Sequence, residues 1–145
     1  MEENEINTRM KTLSIIFSAL AVGQIIFAIV ALIINPPQDV TANPEINSLM
    51  IYVAPVLVLM GFAMGNFMFK LMISPARQLA TEKDKFQKYT TASIIKWAAQ
   101  EAPNLLTIVI FLLTANTFYL YILMGGMGLF LLSRPGIAHY LSVTR

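Results

Sequence analysis

The run LSIIFSALAVGQIIFAIVALII, from Leu13 to Ile34, contains no charged residue. A helix needs about 20 consecutive apolar residues to cross the hydrocarbon core of a bilayer, so this run is long enough to be a transmembrane helix. Acidic residues precede it and Asn35-Pro36-Pro37 follows it, whereas a signal peptide has a basic start and a small-residue cleavage site. We therefore interpret the run as a retained membrane span.

The composition of the whole chain indicates the same class of protein. Its 145 residues are 57% hydrophobic and only 12% charged, whereas soluble domains carry about 25% charged residues. This length allows one domain, so we predict a single integral membrane domain over residues 1–145, with the lipid bilayer as its partner. The same numbers exclude a soluble enzyme, a disordered tail and a nucleic-acid-binding module.

Further apolar runs predict an all-α fold, a bundle of four transmembrane helices. The predicted spans are residues 13–34, 48–69, 94–113 and 117–132. Residues 74–92 form a connector between spans two and three, and Ser74-Pro75 within it is typical of a helix start. We predict that this connector contains a short cytoplasmic interfacial helix. A solvated basic connector that only fixes the topology is the alternative.

The basic residues predict the orientation of these spans, because Lys and Arg are retained on the cytoplasmic side of a membrane. All ten fall on one side of a four-span topology, and the connections at 35–47 and 114–117 contain none. The ten are Arg9, Lys11, Lys70, Arg77, Lys83, Lys85, Lys88, Lys96, Arg134 and Arg145. We therefore predict that both the N-terminus and the C-terminus are cytoplasmic.

Few side chains in this sequence could carry out chemistry. There is no cysteine, and the single histidine, His139, lies outside the apolar runs. This excludes thiolate metal sites, a histidine metal cluster and a Ser-His-Asp triad. Glu101 is the only acidic residue within a predicted span, which leaves too few groups for general acid–base catalysis. We therefore expect no enzyme activity, no metal and no cofactor, and the sequence identifies no small-molecule substrate.

The third predicted span carries the most polar stretch of the apolar runs, from Lys96 to Asn104. Gln100, Glu101 and Asn104 share one helical face, and an ionised carboxylate at this depth is costly unless it is paired. Pro103 lacks a backbone donor, which predicts a helix break that frees one carbonyl. We predict a polar or ion-binding network formed by Glu101, Gln100, Asn104, Gln24, Asn66, Lys96 and Lys70.

This network has more than one possible role. In the first, Glu101 hydrogen-bonds Gln24 or Asn66 and locks the helices together, as in a non-enzymatic structural or accessory membrane subunit. In the second, Glu101 binds a proton or a small cation in a small conducting protein that would be a homo-oligomer. Contact with another subunit of a larger membrane complex is a third interpretation.

Small residues on spans two and four predict close helix contacts. Gly61 and Gly65 form a GxxxG pair, which either mediates a dimer or packs against a helix of the same chain; we favour the second. On span four, Gly125, Gly126 and Gly128 predict a flat face for a neighbouring helix. Span two also carries a stripe of methionines, Met60, Met64, Met68 and Met72. Thioethers bind Cu(I), but we interpret the stripe as apolar packing.

The stretch YTTASIIKWAAQEAPNL, from Tyr89 to Leu105, together with Thr114-Ala115-Asn116 and Arg134-Pro135, resembles the core of small four-span membrane proteins of Bacteroidetes-type bacteria. This resemblance implies a multi-pass protein of the bacterial inner membrane and supplies no activity. Within the stretch, AAQEAP resembles the carboxylate helix of rotary-ATPase proteolipid subunits. On that resemblance, Glu101 would be the ion-binding carboxylate.

Overall fold

Helices account for nearly all of the described chain. The computed structural model describes residues 3–38 and 41–144, and it contains no strand in these two ranges. The helices are α1 (Glu3–Ile34), α2 (Pro44–Ile73), α3 (Glu82–Thr114), α4 (Phe118–Leu131) and α5 (Ile137–Thr144), with a 3-10 turn at Ser74–Gln78. The predicted all-α fold class is therefore confirmed. Of the basic residues counted above, Arg145 lies outside the described residues.

Three of these helices, α1, α2 and α3, are long and apolar enough to cross a membrane. The predicted span 117–132 corresponds to α4, whose 14 residues extend about 21 Å at 1.5 Å per residue, less than a hydrocarbon core of about 30 Å. Ala115, with a left-handed φ of 54°, ends α3. After α4 the chain turns, and the Ser133 N–H donates to the Phe130 carbonyl. These two turns limit α4 to a short apolar helix.

The connector at 74–92 differs from the prediction. It consists of the 3-10 turn at Ser74–Gln78 and the first turns of α3, so a separate interfacial helix is not confirmed. Thr81 caps α3, since its hydroxyl accepts a hydrogen bond of 3.1 Å from the Asp84 N–H. The buried face that starts at Phe86 and Tyr89 continues into Trp97. One continuous helix buries all three aromatic residues, so residues 82–92 are the first turns of α3 and not a separate helix.

Two separate apolar clusters fill the interior, and α1, α2, α3 and α4 each contribute to both. One cluster contains Phe17, Phe69, Trp97 and Phe130. We call this end of the molecule the basic end, because the described Lys and Arg residues lie in the chain segments around this cluster. The other, distal cluster contains Ala31, Ala54, Phe111 and Tyr119. The order of these residues along the chain shows that successive helices run antiparallel.

The closest helix contact is between α2 and α3, and two glycines make it possible. A Cβ on Gly65 would lie 2.7 Å from the Lys96 carbonyl oxygen, and a Cβ on Gly61 would lie 2.7 Å from that of Ala99. The GxxxG pair therefore packs onto the backbone of α3 within the same chain. The predicted break at Pro103 does not occur, since α3 is continuous through it. The Pro103 ring packs against Gly61, so the neighbouring helix supports α3 at this point.

Substituting Gly65 by Ala should weaken this contact, because the new methyl group meets backbone atoms that cannot rotate away. We expect Gly65→Ala to lower the free energy of unfolding by roughly 1–3 kcal/mol. The matched control is Gly23→Ala, because a Cβ on Gly23 meets nothing within 4 Å. Unfolding in mixed micelles, followed by circular dichroism, measures both variants. Equal stabilities would contradict the close contact.

Candidate functional site

A layer of buried amides separates the basic-end cluster from the distal cluster. Gln24 on α1 is 0% exposed and Asn104 on α3 is 1% exposed. The Asn104 side-chain amide donates a hydrogen bond of 2.9 Å to the Gln24 side-chain carbonyl. On α1, Gln24 lies between Ala21 of one cluster and Ala31 of the other. The structure therefore joins two residues of the predicted network at the middle of the helices.

The amide layer is closed by glycines on the other two helices. Gln100 is buried, and a Cβ on Gly65 would lie 3.2 Å from its Cγ atom. On the opposite side, Gly126 of α4 packs against the side chain of Asn104, and any larger residue would collide with its amide oxygen. The layer is therefore packed too closely to admit a bulkier side chain at either glycine.

The amide layer leaves some polar atoms unpaired. Within the described chain, no hydrogen-bond partner is found for Gln24 Nε2, Asn104 Oδ1 or either polar atom of Gln100. Burial of such an atom typically costs about 1–3 kcal/mol. These unpaired atoms thus lower the stability of the protein, and the Gln24–Asn104 hydrogen bond offsets part of that cost.

Glu101 is not a member of the amide layer. Its side chain is half-buried, and no hydrogen bond or ion pair joins it to any described residue. Asn66 donates instead to the Phe62 carbonyl of its own helix at 2.8 Å. Lys70 is exposed, and Lys96 lies over the Phe69 ring with 5.4 Å between its Nζ atom and the ring centre. The predicted pairing of Glu101 with Gln24, Asn66, Lys96 or Lys70 is therefore not present among the described residues.

The remaining predicted packing residues divide into two groups. Gly126 is buried, whereas a Cβ on Gly125 or Gly128 would meet nothing within 4 Å. Of the three glycines predicted to form a flat face on α4, Gly126 alone packs against another helix of the described chain. In the methionine stripe, Met60 and Met64 are exposed and Met72 packs against the basic-end cluster.

The sequence analysis missed a polar site at the basic end, where α5 folds back against α2 and α3. The Tyr89 hydroxyl lies 3.2 Å from Nδ1 of His139, and the Trp97 indole N–H donates to the Ser133 carbonyl at 3.0 Å. Desolvation of the imidazole and the positive charge of Lys96 lower the pKa of His139. Tyr89 and Trp97 each carry a polar atom, and a buried tyrosine or tryptophan usually finds a hydrogen-bond partner for it, which is the sequence feature that could have indicated this site.

The sequence analysis also missed a group of asparagines that terminates α3 at the distal end. Asn35 and Asn43 donate their side-chain amides to the carbonyls of Leu112 and Leu113. These carbonyls belong to the last turn of α3, where the carbonyl groups have no backbone N–H partner within the helix. The signal in the sequence was the recurrence of asparagine in the two connections that lack basic residues.

No protein family, curated protein or solved structure matches this chain. The two resemblances noted from the sequence therefore stay predictions. Among the described residues, no group of three or more His, Asp and Glu side chains is placed to hold a metal ion.

The Gln24–Asn104 hydrogen bond can be tested by a double-mutant cycle. Gln24→Met and Asn104→Leu should each destabilise the protein by about 1–3 kcal/mol, because each leaves one buried amide unpaired. The double variant should cost less than the sum, with a coupling of about 1 kcal/mol, as measured for such bonds in membrane proteins. Pairing Gln24→Met with Asn66→Leu is the matched control and should be additive. Additivity in both cycles would refute the bond.

Proposed function

We propose that this chain is a four-helix integral protein of the bacterial inner membrane that serves as a non-enzymatic structural or accessory subunit. The observation that supports this proposal is the buried Gln24–Asn104 hydrogen bond. Glycines of α2 and α4 pack against the amide layer that contains it. A polar pair at the middle of a bundle locks the helices in register, because an amide has no other partner in lipid. The outer faces support a membrane setting, since many large apolar side chains there are exposed.

The fourth span is proposed on the packing of α4. Its buried residues run from Tyr119 in the distal cluster to Phe130, whose ring stacks on that of Phe17 at 4.8 Å between centres. The helix therefore contacts both clusters despite its length. A bilayer accommodates a short span by local thinning and by flanking residues that reach the interface, at a modest cost per ångström.

The cytoplasmic location of both termini is proposed on the charge distribution. The described basic residues lie around the basic end, where α1 begins and where α5 follows α4. The connections at the distal end contain neither Lys nor Arg. This asymmetry favours the basic end as the cytoplasmic one.

A second candidate function is proton or cation conduction by an oligomer that uses Glu101. The observation that favours it is the position of this carboxyl within an apolar helix, half-buried and without a partner among the described residues. Intramembrane ionisable groups are expensive and commonly functional. A second copy packed against this side of α3 could complete a binding site for the ion.

Cysteine labelling tests the proposed topology without interference, because the chain has no native cysteine. We expect that a membrane-impermeant maleimide labels Ala42→Cys in intact spheroplasts. Asn4→Cys and Ser142→Cys should react only after permeabilisation. All three positions are exposed in the protein, so all should react once it is solubilised. Labelling of Ser142→Cys in intact spheroplasts would mean that α4 does not cross the membrane.

Glu101→Gln separates the two candidate functions. If the protein is structural, vesicles that contain the wild-type chain should show no proton or cation flux above that of empty vesicles. The substitution should then leave folding intact or stabilise it, because it removes a carboxyl group from an apolar helix. Flux in the wild type that is lost in Glu101→Gln and kept in the exposed control Glu45→Gln would replace the structural proposal with conduction.

A further inference from the structure

A cavity of about 220 Å³ opens at the basic end, between α2, the first half of α3 and the segment that joins α4 to α5. At about 30 Å³ per water, this volume holds several waters or one anion of the size of phosphate. The groups that line it include the cations Lys96 and Arg134, the His139 imidazole and the hydroxyls of Tyr89 and Ser93. The cavity is thus lined by hydrogen-bond donors and positive charge.

Within the part of the chain that the structure describes, no acidic side chain lines this cavity to neutralise its positive charge. Over residues 3–38 and 41–144, the ion pairs are Arg9–Glu5 and Lys85–Glu82, and neither involves Lys96 or Arg134. Lys96 is half-buried, Arg134 is exposed, and both line the cavity. Two cations at one cavity favour the binding of an anion between them.

The donors around the cavity are arranged by the fold. Ser93 and Tyr89 are buried, one turn apart on α3, and Tyr89 holds His139 at 3.2 Å. His139, the third residue of α5, lines the same cavity, as does Pro135 in the segment that precedes this helix.

The position of the cavity indicates which kind of molecule would present an anionic group to it. It lies beside Trp97 and Tyr89, aromatic residues of the type found at the level of lipid headgroups. Leu132 belongs to its lining and is 80% exposed, so an apolar surface begins at the cavity mouth. Basic pockets between helices on the cytoplasmic side of a membrane are suited to anionic lipid headgroups.

We propose that this cavity binds a phosphate group through Lys96, Arg134 and the hydroxyls of Tyr89 and Ser93, with an anionic phospholipid as its carrier. The phosphate lies between the two cations, and the acyl chains lie along Leu132. Free inorganic phosphate offers the same group without the chains. The lipid as carrier, unlike the cavity itself, rests on the proposed membrane orientation.

Trp97 provides the measurement, since it is the one tryptophan of the chain and lines the cavity. The full-length protein in an uncharged detergent is titrated with short-chain phosphatidylglycerol, with short-chain phosphatidylcholine and with inorganic phosphate, while tryptophan fluorescence is recorded. We expect a saturable response to phosphatidylglycerol and a much weaker one to the zwitterionic lipid. Lys96→Gln and Arg134→Gln should each weaken binding by about tenfold, as for loss of one charged hydrogen-bond donor.

The matched controls are Lys70→Gln and Lys83→Gln, each of which removes one positive charge from an exposed residue outside the cavity, and their combination, which removes two. They should bind like the wild type, and Lys96→Arg should bind if the Gln variant fails to fold. A saturable response to inorganic phosphate but not to the lipid would keep the phosphate site and assign it to a soluble source. No response to any ligand in folded wild-type protein would overturn the proposal. Equal responses to both lipids, or an equal loss in the controls, would also overturn it. Because the titration uses detergent, its outcome is independent of flux through Glu101.

Discussion

The Gln24–Asn104 hydrogen bond is the constraint on which the arrangement of the helices depends. Both side chains are fully buried between two apolar clusters, and each is the hydrogen-bond partner of the other. Apolar side chains alone can slide past one another in lipid, because one apolar contact replaces another at little cost. An amide pair allows one depth for α1 relative to α3, and the flanking clusters then form only in that register.

The central position of α3 follows from the same need for close approach. Gly61 and Gly65 bring α2 onto its backbone, and Gly126 brings α4 onto Asn104. Pro103 is tolerated because its ring packs against Gly61, so the lost backbone hydrogen bond occurs in a supported stretch. The most polar of the long helices is thereby packed against α1, α2 and α4 on one side, whereas Leu106 and Val109 stay exposed on the other. Glu101 lies at the edge of that contact and pairs with none of the described residues.

The two ends of the bundle differ in the kind of polar group that they contain. At the distal end, asparagine side chains satisfy the last carbonyls of α3 without bringing in charge. At the basic end, the Trp97 indole donates to a backbone carbonyl and the Tyr89 hydroxyl lies 3.2 Å from His139, whereas Lys96 and Arg134 line a shared cavity without an ion pair to any described residue. Uncharged hydrogen bonds thus close one end, and positive charge is left available at the other.

The sequence by itself determined the all-α class, the three long apolar helices and the segregation of basic residues, because these depend on helix length and composition. It also identified Gln24, Gln100 and Asn104 as members of one polar network. Only the tertiary structure decided that Asn104, and not Glu101, bonds Gln24. Asn104 and Glu101 share one face of α3 and lie about 60° apart around its axis, so the packing of α1 against α3 selects between them. Only the tertiary structure also showed that α5 packs at the basic end and that residues 82–92 belong to α3. Both depend on contacts between aromatic side chains that are far apart in the sequence.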